Sequence, residues 1–379
     1  MRTETATGAH LLIATVARND ATTTLFFERL RDRVPLQFAE LVPRSLRHVV
    51  RSIRAEARLA GDLSGAAALI VSRGLFEFRN LILAARSRRI PCFYFVDDNL
   101  MVLRAEGHAD ARHARGYRID NVRNSLRAFD GVLCATEALR EFFHEHRLHD
   151  RLQVYPPVAT GPAVPSTRDD ASLRLAFFGG GHRREPFMRI VWPAICRFAE
   201  HRDVTLCAAG LDDAALRPTS RLTIVTVPYQ RDYDAALGAM RSHAIDVLLH
   251  PSSDTANNRY KNPHVLINAR TLGAAPIFSN APPYDAVASD GVCVLADNTP
   301  DSWLEALNAI ADAGARSRML ANIDRYCEQH FNGTINVECL MQMLNRTQEP
   351  AQTGAAFLSL RLASGVVVDM LRRAVPGRG

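Results

Sequence analysis

Short apolar runs alternate along the chain with longer segments whose apolar residues recur at helical spacing. In the first part of the chain, the runs with the length of buried strands are residues 10–17, 66–72, 91–96, 131–135 and 152–155. Each run ends in polar or turn-forming residues, and the intervening segments, such as 25–34, are predicted as helices. Strands that alternate with helices in this way predict a parallel β-sheet with helices on both faces.

The same pattern restarts after residues 159–170, a segment rich in Pro, Ser and Thr that shows no periodicity and is predicted to be a linker. The strand-like runs after it are residues 173–178, 204–209, 222–227, 245–249, 276–278 and 292–295. The predicted fold class is therefore α/β with two domains, each built on a parallel sheet. The predicted divisions are an N-terminal domain at 1–160, a second domain at 161–345 and a C-terminal tail or helix at 346–379.

Composition is that of an ordinary soluble globular protein, with 47% hydrophobic and 23% charged residues. No apolar run reaches the roughly 18–20 residues that a membrane span requires. The seven cysteines are scattered and odd in number, which favours reduced core thiols in a cytoplasmic protein over disulfides or a zinc site. The net charge of +6 suits anionic partners such as nucleotide-sugars or lipid headgroups, whereas no nucleic-acid-binding module is recognisable.

Two segments leave contact with a membrane surface open. Residues 43–59 are predicted to form a basic amphipathic helix, which is either a solvated surface helix or one that binds anionic headgroups. Residues 355–379 contain an apolar stretch interrupted by charges, which suits a helix docked on the N-terminal domain or one lying on a bilayer. We therefore predict a cytoplasmic protein and leave peripheral contact with the inner face of the plasma membrane as an alternative.

The polar loop after the run 245–249 contains Lys261, which is the only lysine among the 46 basic Lys and Arg residues. In open α/β sheets, ligands bind outside the carboxyl ends of strands, where loops of this kind converge. A codon bias towards arginine explains the scarcity of lysine, but a lysine retained under that bias favours a role that needs a compact ammonium. Donation to a phosphate as a point charge is such a role.

A run of three glycines, Gly179, Gly180 and Gly181, follows the strand-like run 173–178 and precedes a predicted helix. Such a turn allows backbone N–H groups and the positive end of a helix to approach a phosphate, although three glycines also form ordinary tight turns. The cationic side chains that follow at once, together with Lys261, favour a diphosphate pocket. They are His182, Arg183 and Arg184. The run matches neither the G-x-G-x-x-G dinucleotide fingerprint nor a Walker A loop.

The segment 250–284 resembles the donor site of GT-B glycosyltransferases of the large family-4-like group (glycosyl transferases group 1). The residues in register are His250, Pro251, Ser252, Asn257, Lys261, Pro263, Gly273, Pro276 and Ser279. The resemblance extends over roughly residues 10–345. It implies two Rossmann-like domains facing a central cleft, with a nucleotide-sugar bound by the second domain and an acceptor entering from loops of the first.

One position departs from the family pattern. Asn268 aligns with the glutamate that holds the donor ribose in the family, and Val265 aligns with a companion lysine. Asparagine can accept a hydrogen bond from a ribose hydroxyl, but without charge. Either the donor is held differently or the activity is weakened or lost. The residues predicted to bind the donor are Gly180, Gly181, His182, Arg184, Tyr229, His250, Ser252, Asn257 and Asn268.

Sugar transfer from such a donor releases a nucleoside diphosphate that carries growing negative charge. Arg183 or Arg184, together with Lys261, would stabilise that charge, so no metal ion is required and none is predicted. No convincing D-x-D metal motif is present, because Asp97 and Asp98 are adjacent and lie in the first domain.

An inverting reaction would also need a base that deprotonates the acceptor hydroxyl. The candidates in the first domain are Asp97, Asp98, His108 and His113. In a retaining reaction, which the resemblance implies, these residues would only position the acceptor. The residues predicted to be catalytic are therefore Asp97, Asp98, Arg183 and Lys261.

The sequence thus predicts a metal-independent glycosyltransferase that needs no cofactor. Its partners would be a nucleotide-sugar and a polysaccharide, lipid-linked or other cell-envelope acceptor. Two alternatives stay open. One is a catalytically silent GT-B-like binding module, which Asn268 favours. The other is a nucleotide-sugar epimerase of the same fold, which would need acidic residues around the sugar in the second domain.

Overall fold

The computed structural model describes residues 10–40, 61–107, 116–161, 172–178, 183–211, 216–252 and 255–346. The chain divides into two compact units, one formed by Met1–Val158 with Gly333–Gly379 and the other by Ala159–Asn332. Each unit contains one six-stranded parallel sheet, so the predicted α/β class with two parallel sheets is confirmed. Several predicted features lie outside the described residues. They are the basic helix at 43–59, His108, His113, the glycine run with His182, and the C-terminal stretch 355–379.

The sheet of the first unit has the strand order β2-β1-β3-β4-β5-β6. Its strands are β1 (His10–Thr15), β2 (Leu36–Glu40), β3 (Ala66–Ser72), β4 (Cys92–Val96), β5 (Gly131–Cys134) and β6 (Leu152–Val154). Its helices before residue 158 are α1 (Ala21–Phe26), α2 (Arg79–Ser87), α3 (Leu100–Ala105), α4 (Ile119–Leu126) and α5 (Glu137–Glu145). β1 and β4 are buried along their whole length, as expected for central strands covered on both faces.

Polar side chains at the ends of these strands start the helices. Asp20 accepts a hydrogen bond from the backbone N–H of Thr23 at the start of α1, and Thr136 caps α5 in the same way through Leu139. The prediction of a helix over 25–34 was wrong in extent. α1 ends at Phe26 and a single 3₁₀ turn, Glu28–Leu30, follows it. Strand β2 was not predicted, because it is an edge strand in which only Ala39 is fully buried.

The sheet of the second unit has the strand order β12-β11-β10-β7-β8-β9. Its strands are β7 (Leu173–Phe178), β8 (Val204–Ala209), β9 (Leu222–Val227), β10 (Val247–His250), β11 (Ala275–Ser279) and β12 (Val294–Ala296). Its helices are α6 (Arg184–Pro186), α7 (Trp192–Phe198), α8 (Tyr233–Arg241), α9 (Val265–Leu272), α10 (Pro300–Ile310) and α11 (Ala313–His330). A π-helical segment, Phe187–Val191, joins α6 to α7. 3₁₀ turns occupy Ala256–Tyr260 and Asp285–Asp290.

The apolar core of the second unit lies between its sheet and the helices α7 and α10. Trp303 of α10 is fully buried there, and in the same core the rings of Phe177 of β7 and Phe187 lie with their centroids 4.2 Å apart. On another helix, Gly273 ends α9 in the left-handed region at φ 66°, which brings the chain directly into β11. Core and turn together fix the carboxyl ends of β7, β10 and β11, where the predicted donor residues lie.

The last described helix, α12 (Thr334–Arg346), belongs to the first unit. Its Asn336 side-chain amide donates to the carbonyl of Pro156 at 2.7 Å, and Met343 packs against Gly131. The predicted second domain ran to residue 345 and therefore included this helix. The reason for the difference is local, since only the three residues 331–333 separate α12 from α11 and no linker-like composition marks the change.

All seven cysteines lie within the described ranges, where they are free thiols, and six of them are buried. Burial raises their pKa values, for example that of Cys207 to about 11. Within the same ranges, we find no helix with the length and apolar character needed to span a bilayer.

Candidate functional site

The second sheet reverses its direction of growth between two adjacent strands, β7 and β10. The chain builds outward from β7 through β8 to β9 and then returns to pair β10 with the other side of β7. Ligands of open α/β sheets bind at the carboxyl ends of strands at such a reversal. β10 leads into the polar loop that carries Lys261. The loop that follows β7 contains Gly180, Gly181 and His182, which lie outside the described residues, so their assignment to the donor stays a prediction.

At the end of β10, the side chain of His250 is buried against two aromatic rings. Its Nε2 atom shares a hydrogen bond of 3.2 Å with the hydroxyl of Tyr284. The imidazole stands at 80° to the ring of Phe278 and at 78° to that of Tyr284, with centroid separations of 5.7 and 5.4 Å. His250 and Tyr284 are each only 4% exposed, so this pair is fixed in one arrangement.

The charge of Arg183 acts on Tyr284. Burial raises the pKa of the Tyr284 hydroxyl well above its usual range, and the positive charge of Arg183 partly opposes that rise. Arg183 is half-buried at the start of α6, whereas its neighbour Arg184 is exposed. The structure therefore brings His250 and Tyr284 together at the reversal of the second sheet, and the charge of Arg183 acts on the Tyr284 hydroxyl. Sequence reasoning selected the first two residues and missed Tyr284, although Tyr284 also follows a strand of this sheet.

A hydrogen-bonded network fixes the start of the loop after β10. The backbone N–H of Ser252 donates to Oγ of Ser279 at 2.8 Å, and the Ser279 hydroxyl donates to Oδ1 of Asn298 at 2.8 Å. The Asn298 amide donates in turn to the carbonyl of Ser252 at 3.4 Å. The network ties together the ends of three neighbouring strands, β10, β11 and β12. It gives Ser252 a structural role in holding the loop, whatever the loop binds.

Further along the loop, Asn257 is fully buried within the 3₁₀ turn Ala256–Tyr260. Lys261 follows the turn, is half-buried, and donates from its backbone N–H to the carbonyl of Asn258 at 3.1 Å. Tyr229, which follows β9, is 69% exposed and lies on the surface of the unit. The predicted roles of these residues in donor binding stay predictions.

Asn268 lies on α9 and is 5% exposed. The hydroxyl of Tyr233, in the first turn of α8, donates a hydrogen bond to its Oδ1 atom. This hydrogen bond joins α9 to α8, and the predicted contact of Asn268 with a donor ribose stays a prediction. Tyr233 was not selected from the sequence, because it starts a helix and does not end a strand.

In the first unit, both members of the predicted acidic pair, Asp97 and Asp98, form ion pairs with one arginine, Arg73. The Nε atom of Arg73 donates to Oδ1 of Asp97 at 2.6 Å, and its Nη2 atom donates to Oδ2 of Asp98 at 3.1 Å. Its Nη1 atom lies 3.6 Å from Oδ2 of Asp20. These residues follow β1, β3 and β4, which are adjacent, and this sheet reverses its growth between β1 and β3. Arg73 was noted only as the end of a strand, so sequence reasoning missed this ion-pair cluster.

The backbone of Arg73 adopts the left-handed conformation, with φ 62°. Its carbonyl accepts hydrogen bonds from the hydroxyls of Tyr94 at 3.2 Å and Tyr117 at 2.9 Å. A left-handed conformation in a residue other than glycine persists only when its surroundings determine it. Here two phenols and the carboxylates fix both ends of the residue.

Burial raises the pKa of Asp97. Arg73 and the hydroxyl of Thr22, which donates to Oδ2 of Asp97 at 2.6 Å, act in the opposite direction, and the nearby charge of Asp98 adds to the rise. The pKa of Arg73 is raised by the three carboxylates despite its burial, so the guanidinium stays charged. Asp97 and Asp98 are thus both bound to one cation, which suits a fixed anionic surface better than a freely titrating base.

Among the described residues, no group of three or more His, Cys, Asp and Glu side chains is arranged to hold a metal ion.

Comparison with known proteins identifies the fold. No protein-family model matches the chain, and no curated protein matches it in sequence. Solved structures do. HepE from Anabaena in complex with UDP and glucose matches with a TM-score of 0.57 at 10% identity, over 90% of this chain and 100% of that one. TarM matches with a TM-score of 0.54 at 14% identity, over 77% of this chain and 58% of that one. The chain has the GT-B fold.

The GT-B fold is shared by proteins of more than one description. A structure described as that of a UDP-N-acetylglucosamine 2-epimerase from Listeria monocytogenes matches with a TM-score of 0.54 at 11% identity, over 91% of this chain and 98% of that one. Likeness at this level of identity shows the architecture alone. The chemistry of this chain has to be argued from its own residues.

Proposed function

We propose that the chain is a glycosyltransferase that moves a sugar from a nucleotide-sugar to a polysaccharide, lipid-linked or other cell-envelope acceptor. The observation that carries the proposal is the hydrogen bond between His250 and Tyr284 at the reversal of the second sheet, with the positive charge of Arg183 acting on the Tyr284 hydroxyl. A cation beside two buried hydrogen-bonding groups at such a position suits the phosphates of a nucleotide. HepE, which shares the fold, was solved in complexes with UDP and glucose and with UDP-glucose, and this makes UDP the first nucleotide to test.

In the proposed reaction, the bond between the sugar and the diphosphate breaks, a bond to the acceptor oxygen forms, and the proton of the acceptor hydroxyl passes to the departing diphosphate. Arg183 and Lys261 stabilise the charge that develops on the departing diphosphate, without a metal ion. Asp97 and Asp98 position the acceptor and do not act as bases, because both already bind Arg73. This assignment accords with a retaining reaction, in which no enzyme base for the acceptor is needed.

A second candidate function is a binding module of the same fold without turnover. The observation that favours it is the hydrogen bond between Tyr233 and Asn268, which uses one of the two lone pairs of the neutral oxygen predicted to meet the donor ribose. An epimerase of the same fold is a third possibility, since one of the structural matches carries that name. These candidates differ in what happens after the nucleotide-sugar binds, so binding and turnover have to be measured separately.

The first experiment is a thermal-shift screen of the wild type against UDP, GDP, ADP, CMP and dTDP, with Lys261→Ala beside it. Arg259→Ala is the matched control, because Arg259 is an exposed cation two residues away that lies over the ring of Tyr260. Stabilisation by one nucleotide that is lost in Lys261→Ala and kept in Arg259→Ala supports the donor site. No shift with any nucleotide would contradict it.

The second experiment follows the matching nucleotide-sugar by NMR. Release of free sugar, or its transfer to an added acceptor, supports the transferase. Conversion to an epimeric sugar supports the epimerase, and binding with no change supports the silent module.

We also propose that the protein works in the cytoplasm, at the inner face of the plasma membrane. The basic segment 43–59 supports the membrane contact by its charge and its apolar spacing. Co-sedimentation with anionic vesicles, but not with neutral ones, is the expected result. Equal pelleting with both kinds of vesicle, or with neither, would contradict the contact.

A further inference from the structure

Tyr284 belongs to the site of the second unit by its contacts, although nothing in the sequence pattern selected it. Its ring packs against Phe278 with centroids 3.9 Å apart, and its hydroxyl meets Nε2 of His250 at 3.2 Å. The backbone holds the residue as firmly as the side chain does. Its N–H donates to the carbonyl of Ala281 at 3.0 Å, and its carbonyl accepts from the N–H of Val287 at 3.2 Å.

The ring of Tyr284 packs on apolar neighbours, and its hydroxyl forms a hydrogen bond with His250. Phe278 and the backbone fix the ring of Tyr284, so a phenylalanine in its place would keep the shape of the cluster. The hydroxyl itself shares a hydrogen bond with Nε2 of His250, whose imidazole also packs at a steep angle against the rings of Phe278 and Tyr284. A buried Tyr hydroxyl needs a polar partner, and a buried imidazole without one costs free energy.

The protonation of Tyr284 indicates which group donates in its hydrogen bond with His250. The phenol stays protonated at neutral pH because burial raises its pKa, so it can donate to an unprotonated Nε2 of His250. The positive charge of Arg183 acts on the same phenol. The result is an oriented histidine at the strand end where the sheet reverses.

We propose that Tyr284 is a positioning residue of this site, whose hydroxyl orients His250 so that, together with Arg183, it binds the diphosphate part of a nucleotide. This inference rests on the proposed donor site and names the part of the ligand that the His250 cluster recognises. The cluster of Arg183, His250 and Tyr284 contributes to binding of the phosphates and does not contribute to recognition of the nucleoside.

The test measures the dissociation constants of UDP, UMP and uridine by calorimetry for the wild type and for Tyr284→Phe. Where the screen selects another base, the corresponding diphosphate, monophosphate and nucleoside replace them. We expect Tyr284→Phe to weaken diphosphate binding by about five- to tenfold, the loss of one hydrogen bond, and to leave nucleoside binding within about twofold. Tyr326→Phe is the control, because the ring of Tyr326 also packs on a histidine, His330, on α11.

Two further measurements separate positioning from packing. In Tyr284→Phe the ¹⁵N shifts of the His250 ring should change, whereas in Tyr326→Phe they should not. The double variant Tyr284→Phe with His250→Gln should bind the diphosphate no more weakly than His250→Gln alone, because the hydroxyl acts through the imidazole.

The outcomes are distinct. Unchanged diphosphate affinity in Tyr284→Phe, an equal loss for all three ligands, or additive losses in the double variant would each overturn the inference while leaving the donor site in place. A wild type that binds none of the three ligands in any base series would overturn the proposed function, and the inference with it.

Discussion

The guanidinium of Arg73 donates to Asp97 at 2.6 Å while its backbone carbonyl accepts hydrogen bonds from two tyrosine hydroxyls. One residue thus joins the ends of adjacent strands through its side chain and its main chain. Removing the charge in Arg73→Gln leaves Asp97 and Asp98 without their cation. Because the arginine side chain is 33% exposed, we expect a loss of about 1–3 kcal/mol in the free energy of unfolding, below the cost of a fully buried pair.

Urea denaturation measures this loss, and two variants control it. Arg73→Lys keeps the charge and should lose less stability than Arg73→Gln. Adding Asp97→Asn to Arg73→Gln removes one of the two uncompensated carboxylates and should restore part of the loss. The effect of Asp97→Asn is compared in the wild type and in Arg73→Gln. If it lowers the free energy of unfolding equally in both, Arg73 and Asp97 do not interact.

The raised pKa of Asp97 predicts a pH dependence of stability. A carboxyl whose pKa is higher in the folded state keeps its proton to a higher pH than in the unfolded chain. As pH rises above the ordinary aspartate pKa of 3.8, the unfolded chain therefore loses this proton first and stability falls. In Asp97→Asn this fall is absent, so the unfolding free energy of the variant should improve relative to the wild type as pH rises from about 4.

Chemical denaturation at a series of pH values gives this difference directly. A difference between Asp97→Asn and the wild type that stays constant from about pH 4 to pH 8 would show that Asp97 titrates alike in both states.

The sequence predicted most strands because each central strand is a continuous apolar run, and such runs need no partner to be recognised. Strand β2 escaped because an edge strand buries little and carries a mixed pattern. Helix α12 was placed in the wrong unit for a different reason. Its attachment to the first unit depends on Asn336 and Met343 meeting residues more than a hundred positions earlier, which no local pattern encodes.

The site was predictable to the same extent. His250, Arg183 and the acidic pair Asp97 and Asp98 follow strands, and the rule for open sheets selects such residues. Their partners depend on which strand ends become neighbours, and that follows from the strand order. Tyr284 reaches His250 because β10 pairs with β11, so the Tyr284 partnership could not be read from sequence spacing.

The turn that leads into α12 gives a prediction about the fold. Gly333 has φ 78°, and a Cβ there would lie 3.1 Å from both Leu30 Cδ2 and Val158 Cγ1. Gly333→Ala therefore adds steric crowding to a cost of about 1–2 kcal/mol for the left-handed backbone. The control is Gly107→Ala, since Gly107 has φ 73° and a Cβ there would meet nothing within 4 Å.

Thermal and urea unfolding of the two variants should show a larger loss for Gly333→Ala than for Gly107→Ala. Because the crowding lies where α12 joins its unit, hydrogen exchange in α12 should also accelerate more in Gly333→Ala. Equal losses in both variants would mean that the turn relaxes and that only the backbone conformation matters.

The bond between Tyr233 and Asn268 separates the two main functional proposals. A carboxylate at position 268 could accept from Tyr233 with one oxygen and from a ribose hydroxyl with the other, whereas in Asn268 one neutral oxygen would have to accept both hydrogen bonds. Charge-assisted hydrogen bonds are about twice as strong as neutral ones. We therefore expect Asn268→Glu to tighten donor binding and to raise donor hydrolysis by about five- to tenfold.

Asn268→Asp is the matched control, because it carries the same charge on a side chain one carbon shorter. The glutamate variant should gain activity and the aspartate variant should not, if reach to the ribose is what the asparagine lacks. Calorimetry with the nucleotide and NMR of donor hydrolysis measure both effects. A folded Asn268→Glu that binds and hydrolyses the donor no better than the wild type would exclude residue 268 from the donor site. Its bond to Tyr233 would then serve only to join α8 to α9.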